Sequence, residues 1–235
     1  MTTHDVTTDR QRSGDLPSPG TARRSRITIV ALALAAGAAA VITVLAWKPW
    51  PGRDDFAYAD LAPVRDAAWA GAVIDGIGFA VGGVALGLAV CLLAPSRGSV
   101  WATAGAVAGS LGGITFCGGI VSLGVLEWYA TAPAIPAQAG TALLDQVSGD
   151  PTHLMAVQAI GFVLHSLGVL LLAVALWRSR SVPRWLPASV GLLTVAAFAG
   201  FDGRALDLVE AARAVALILV AWYLLRTTRQ PAVTG

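Results

Sequence analysis

The sequence predicts an all-α fold, a polytopic transmembrane helix bundle of six spans with both termini cytoplasmic. Three observations carry that reading. Of 235 residues, 56% are hydrophobic and only 13% are charged, about half the charged share of an average soluble domain. Six apolar stretches follow one another along the chain. Arginine gathers in alternate links between them. A mean hydropathy of +0.69, with 26 Gly and 8 Trp, excludes a disordered chain.

Residues 1–26 are polar, with Pro17 and Pro19 among Ser, Gly, Asp and Thr. Such a composition cannot bury a core and reads as a disordered tail. The apolar stretches are Ile27–Trp47, Gly71–Ala94, Val100–Leu126, Leu154–Trp177, Leu186–Phe201 and Leu208–Leu225. They make residues 27–225 one transmembrane domain, with 226–235 a short second tail. Crossing the hydrocarbon core takes about 20 apolar residues, and the first four stretches reach that length. The last two are shorter, so a fifth–sixth pair that only dips into the membrane is the structural alternative. The first stretch is too long for a signal peptide, and the Ala57-Tyr58-Ala59 cleavage-like site lies well beyond its end, so it is read as an uncleaved anchor.

The links carry turn chemistry. Pro95 to Ser99 form a tight turn, with Ser99 placed to cap the third helix. Asp150 and Pro151 read as cap and first residue of the fourth. Pro183 interrupts the next link, and Gly200 to Gly203 break the chain before the sixth helix. With the tail inside, the inner segments hold Arg10, Arg12, Arg23, Arg24, Arg26, Arg97, Arg178, Arg180, Arg184, Arg226 and Arg229. The outer ones hold Lys48, Arg53, Arg65, Arg204 and Arg213. That bias sets the orientation. Two outer segments, around Phe56–Ala68 and Ala134–Val147, have the pattern of short interfacial helices that cap a cavity or lie on the headgroups.

Gly78/Gly82, Gly83/Gly87, Gly105/Gly109 and Gly109/Gly113 recur four apart. In lipid this spacing lets helix backbones approach closely. It predicts packing between the second and third spans; the alternatives are a homodimer face or room for a slim ligand.

Ionisable groups near the membrane are the candidate functional residues. Asp75 shares a helix face with Gly71, Gly78 and Gly82. Glu127 ends the third span and His153 opens the fourth. Asp207, Glu210 and Arg213 stand with Asp202 and Arg204 at the outer end of the sixth. One reading makes these a solvated rim, with Arg204, Asp207, Glu210 and Arg213 pairing along their own helix inside a belt of Trp47, Trp50, Trp69, Trp128 and Tyr129. The other makes them a polar pocket in which Asp75 and Glu127 face the sixth-helix cluster. Two carboxyls in different protonation states there would suit acid/base chemistry. His165 lies midway along the fourth helix, on one face with Gln158, Gly161 and Gly168. It reads as a histidine hydrogen-bonded between helices, or else as a ligand contact.

No cofactor is expected. His153 and His165 are about 18 Å apart on one helix, which does not suit bis-histidine haem. Cys91 and Cys117 differ in depth by roughly 20 Å and are expected to be free, buried thiols. No metal, nucleotide or serine-hydrolase motif occurs, and no basic stripe points to nucleic acid.

The run Leu176-Trp177-Arg178-Ser179-Arg180-Ser181-Val182-Pro183-Arg184-Trp185-Leu186 resembles a bacterial family of six-span membrane proteins known as a domain of unknown function. In that family an L-x-R-S-x-x-x-P-R-W-L link joins two spans. The likeness covers residues 162–200 and implies six helices, but no activity, cofactor or site residues. The first functional expectation is therefore a non-catalytic plasma-membrane protein, an accessory subunit or a factor binding a small apolar molecule or lipid, with the bilayer as its constant partner. The alternatives are an acid/base enzyme acting on an isoprenoid or lipid through Asp75, Glu127 and Asp207, and a permeation protein for small solutes.

Overall fold

The structure is a computed structural model and describes residues 19–49, 57–149, 152–199 and 203–227. These residues are all-helical, without a strand. The long helices are α1 (Pro19–Trp47), α3 (Arg65–Leu93), α4 (Ser99–Ala130), α6 (Leu154–Ser179) and α8 (Gly203–Thr227). Each is long and apolar enough to cross a membrane. The shorter ones are α2 (Tyr58–Leu61), which runs through a 3-10 turn into α3, α5 (Ala137–Gly149) and α7 (Trp185–Ala196).

Neighbouring helices close into a ring. α1 packs on α3, α3 on α4, α4 on α6, α6 on α7, α7 on α8, and α8 back on α1. α3 also reaches α6 and α8 across the middle. The main core gathers at one end, from Ile27 of α1, Leu93 of α3 with Ala94 just after it, Leu176 of α6, Leu186 of α7 and Leu224 of α8. The start of α1, the α3–α4 and α6–α7 links and the end of α8 therefore share one end of the bundle. The described arginines predicted to be cytoplasmic lie here, so we call it the basic end.

Several local expectations change. α1 begins at Pro19, so residues 19–26, expected in the disordered tail, are helical; proline suits a first helical turn. Residues 1–18 and 228–235, the Asp150–Pro151 cap, Trp50, Arg53 and Asp202 lie outside the described residues. Gly98, not Ser99, caps α4: its φ is +98° and no side chain bonds the helix start. A Cβ there would stand 2.8 Å from the Ala175 carbonyl oxygen of α6, a close approach that only glycine permits. The fifth apolar stretch yields a helix of only 12 residues. The sixth yields one of 25, beginning before the expected Leu208.

The glycines pack within the chain. Gly37 of α1 meets the Gly78 and Gly82 backbone of α3, and Gly83 and Gly87 of α3 meet Gly109 and Ala106 of α4. Gly105, Gly109 and Gly112 of α4 meet Gly168, Leu172 and His165 of α6. Both cysteines are free, as expected, but half-buried rather than buried.

At the other end, α2 and α5 pack together over the last turns of α4. Leu61, Ala68, Ala130 and Leu144 form a small core there, with Tyr58 and Leu126 beside it. Gly140 of α5 seats against the Ala130 carbonyl and the Tyr58 ring. The segment expected as a helix over Ala134–Val147 is α5, whereas the one around Phe56–Ala68 divides into the four-residue α2, a 3-10 turn and the first turn of α3, because the chain runs straight on into the long helix. Trp128 Nε1 donates to Asp66 Oδ1 at 2.6 Å, and the Arg65 guanidinium lies 4.1 Å from the Trp128 ring.

Candidate functional site

A cavity of about 350 Å³ lies between α3, α4 and α6, sharing Ala68 with the small core at this end. Its walls are mainly apolar, from Ala72, Phe116, Ile120, Leu123, Met155 and Phe162. Two polar side chains line it, Glu127 and Gln158. Glu127 sits in the last turn of α4 and is 7% exposed. Thr131 Oγ1 donates to the Glu127 backbone carbonyl at 2.8 Å and closes that helix end. The carboxyl itself is left with Oε1 buried and without a partner, as is Oε1 of Gln158. A buried acceptor without a donor costs about 1–3 kcal/mol, so two of them in one apolar cavity are a feature to be explained.

A second, narrower void lies between α1, α3, α6 and α8. It measures about 30 Å³ and is lined by Phe79, His165, Glu210 and Arg213, with glycines of α1 and α3. That is room for a water molecule but not for an organic ligand. His165 is 6% exposed, and its Nδ1 donates to the Gly109 carbonyl at 3.1 Å. Its ring meets Phe79 edge-on, with centroids 5.3 Å apart. Arg213 is 5% exposed, with Nη1 lacking a hydrogen-bond partner and its guanidinium 5.5 Å from the Phe79 ring. Glu210 and Asp75 are the acids whose charge reaches it. Phe79 and Phe116, with centroids 4.5 Å apart, stand between the two spaces.

The expected constellation therefore divides. Glu127 alone enters the larger cavity. His165, Glu210 and Arg213 line the smaller one, with the Asp75 charge nearby. Asp207 lies at the start of α8, where Lys48 Nζ approaches its Oδ2 at 2.9 Å. That ion pair ties the residue after α1 to α8. His153 is exposed at the start of α6, its Nδ1 3.0 Å from Thr152 Oγ1. Neither Asp75 nor Asp207 lines the cavity that holds Glu127, so the carboxyls proposed to share one substrate do not meet around it. Among the described residues no group of three or more His, Cys, Asp or Glu could hold a metal ion.

Sequence reasoning missed Gln158 as a lining residue, although it marks the α6 face. The available signal was an amide two helical turns before His165 in an otherwise apolar run. Lys48 as the partner of Asp207 had no signal, because the pairing spans 159 positions. No family model, curated protein or solved structure matches the chain, and its function has to be read from the two cavities themselves.

Proposed function

We propose that this multi-pass membrane protein is a binding factor for a small, largely apolar molecule that carries a hydrogen-bond donor. The site is the cavity between α3, α4 and α6. The observation that carries this reading is the pair of buried, unpartnered oxygens, Glu127 Oε1 and Gln158 Oε1, in an otherwise apolar lining. Both oxygens accept, so the complementary ligand brings N–H or O–H. The volume is at the lower end of ligand sites, which run about 300–1,000 Å³, and suits a short-chain amphiphile better than a whole phospholipid. The basic end is read as cytoplasmic in the plasma membrane, which puts the cavity toward the outer leaflet; the arginine bias supports this.

The test compares 1-octanol with octyl methyl ether, which has no donor, on the full chain in a mild detergent by native mass spectrometry. The alcohol is expected to bind at least tenfold more tightly. Glu127→Met should remove that preference and, by deleting a buried acceptor that lacks a donor, leave the folded state at least as stable. Ala159 is exposed at the cavity margin, so Ala159→Trp should weaken both probes without a buried clash. Equal affinity of the two probes for the wild type would overturn the proposal.

A further inference from the structure

The basic end carries a second site of different chemistry. An open pocket of about 340 Å³ is formed by Arg97 and Gly98 of the α3–α4 link with Trp177, Arg178, Arg180 and Arg184 around the α6–α7 link. All four arginines are exposed. No carboxylate among the described residues forms an ion pair with any of them. Four guanidinium groups around one hollow repel one another, weakly where water and salt screen them, and an anion among them turns that repulsion into attraction.

The backbone holds them together. The fit of Gly98 against Ala175 seats the Arg97 link on α6. Arg180 caps α6 in the left-handed region, with φ 57°, and its N–H donates to the Leu176 carbonyl at 3.2 Å. Ser179 and Ser181 hydroxyls, 2.9 Å apart, brace the same turn. Val182 and Leu186 then anchor the far side of the link in the main core. Both arginine-bearing links are thus placed by packing rather than left to float.

We infer that this pocket binds the phosphate of an anionic phospholipid headgroup. Guanidinium forks match phosphate oxygens two at a time, and basic pockets between helices are suited to such headgroups. The surroundings select a lipid over a soluble anion. Trp177 is 46% exposed and Trp185 53%, and Val100 and Trp101 in the first turn of α4, directly after the Arg97 link, are exposed too. These are the apolar and interfacial side chains that meet acyl chains and headgroups. Arg184 lies 5.6 Å from the Trp177 ring, so one of the four cations stands directly over that interfacial indole.

The test uses the full chain in neutral detergent, with phosphatidylglycerol and phosphatidylcholine of identical acyl chains, read by native mass spectrometry and by the lipid-induced rise in apparent Tm. Phosphatidylglycerol is expected to bind at least tenfold more tightly. Arg97→Gln combined with Arg184→Gln should abolish that preference. Arg226→Gln removes an arginine that stacks on Trp222 outside the pocket and should keep it. Arg97→Lys with Arg184→Lys retains the charge, guards against misfolding, and should retain part of the preference. An unchanged preference in the double glutamine variant, or an equal loss in Arg226→Gln, would overturn the site. Displacement of the lipid by millimolar inorganic phosphate would overturn the lipid as its occupant.

Discussion

The seam between α4 and α6 and the seam around α8 hold the same bundle together by different means. Between α4 and α6 the backbones nearly touch: a Cβ on Gly112 would overlap the His165 backbone, and one on Gly161 would overlap that of Phe116. Around α8, side chains rather than bare backbone do the packing, with Val220 and Leu224 in the main core and Lys48, just after α1, reaching Asp207. Lipid tails are as apolar as leucine, so helix association in a bilayer gains little from burying apolar surface and much from close fit. The α4–α6 seam takes that route. It also brings a histidine within hydrogen-bond reach of a neighbouring helix carbonyl. The α8 seam instead holds Arg213 and Glu210, which line the small void with Phe79 and His165.

Substitutions should separate the two seams. The largest effect is expected at Gly112. Gly112→Val puts a branched side chain where the α6 backbone runs, at a cost above about 3 kcal/mol, and should abolish recovery of monodisperse protein on size exclusion. His165→Ala removes a buried ring, its contact with Phe79 and its bond to Gly109, and should cost about 2–4 kcal/mol, seen as a lower apparent Tm in detergent. Lys48→Gln cuts the tie between α1 and α8. Because Lys48 is 57% exposed, about 0–1 kcal/mol is expected, and the difference from wild type should shrink as salt is raised. The smallest change is expected at Gly118, on the same helix as Gly112 but with nothing within 4 Å of an added Cβ. Gly118→Ala should be neutral or stabilise by up to about 1 kcal/mol. If Gly112→Val and Gly118→Ala behaved alike, close backbone fit would not be what holds α4 to α6.

Periodicity in the sequence exposes much of this. The glycines spaced four apart mark the α3–α4 contact at Gly83, Gly87 and Gly113, whereas Gly105 packs on α6 and the tightest approaches, at Gly112, Gly161 and Gly168, lie outside those pairs. The face Gln158, Gly161, His165 and Gly168 is the face that α6 turns to α4, where Gly119, Phe116, Gly112 and Gly109 receive it. His165 is the hydrogen-bonded histidine between helices that its position suggests. The long apolar runs give the five long helices, since length and composition are local properties. What periodicity does not carry is which face meets which partner across the ring. Lys48 with Asp207, Arg213 beside Phe79, and the separation of Glu127 from the α8 acids all depend on helix rotation and order. The unpartnered oxygens of Glu127 and Gln158 are less visible still, because they follow from which atoms do not meet.

The short α7 has a consequence for crossing the bilayer. Its 12 residues rise about 18 Å, against a hydrocarbon core of about 30 Å. Leaving the translocon alone, it would expose helix ends to acyl chains with few groups to satisfy them. Its packing partners are α6 before it and α8 after it. By length, then, α7 does not cross such a core by itself, and its apolar side chains rest on the two longer helices that flank it in the chain.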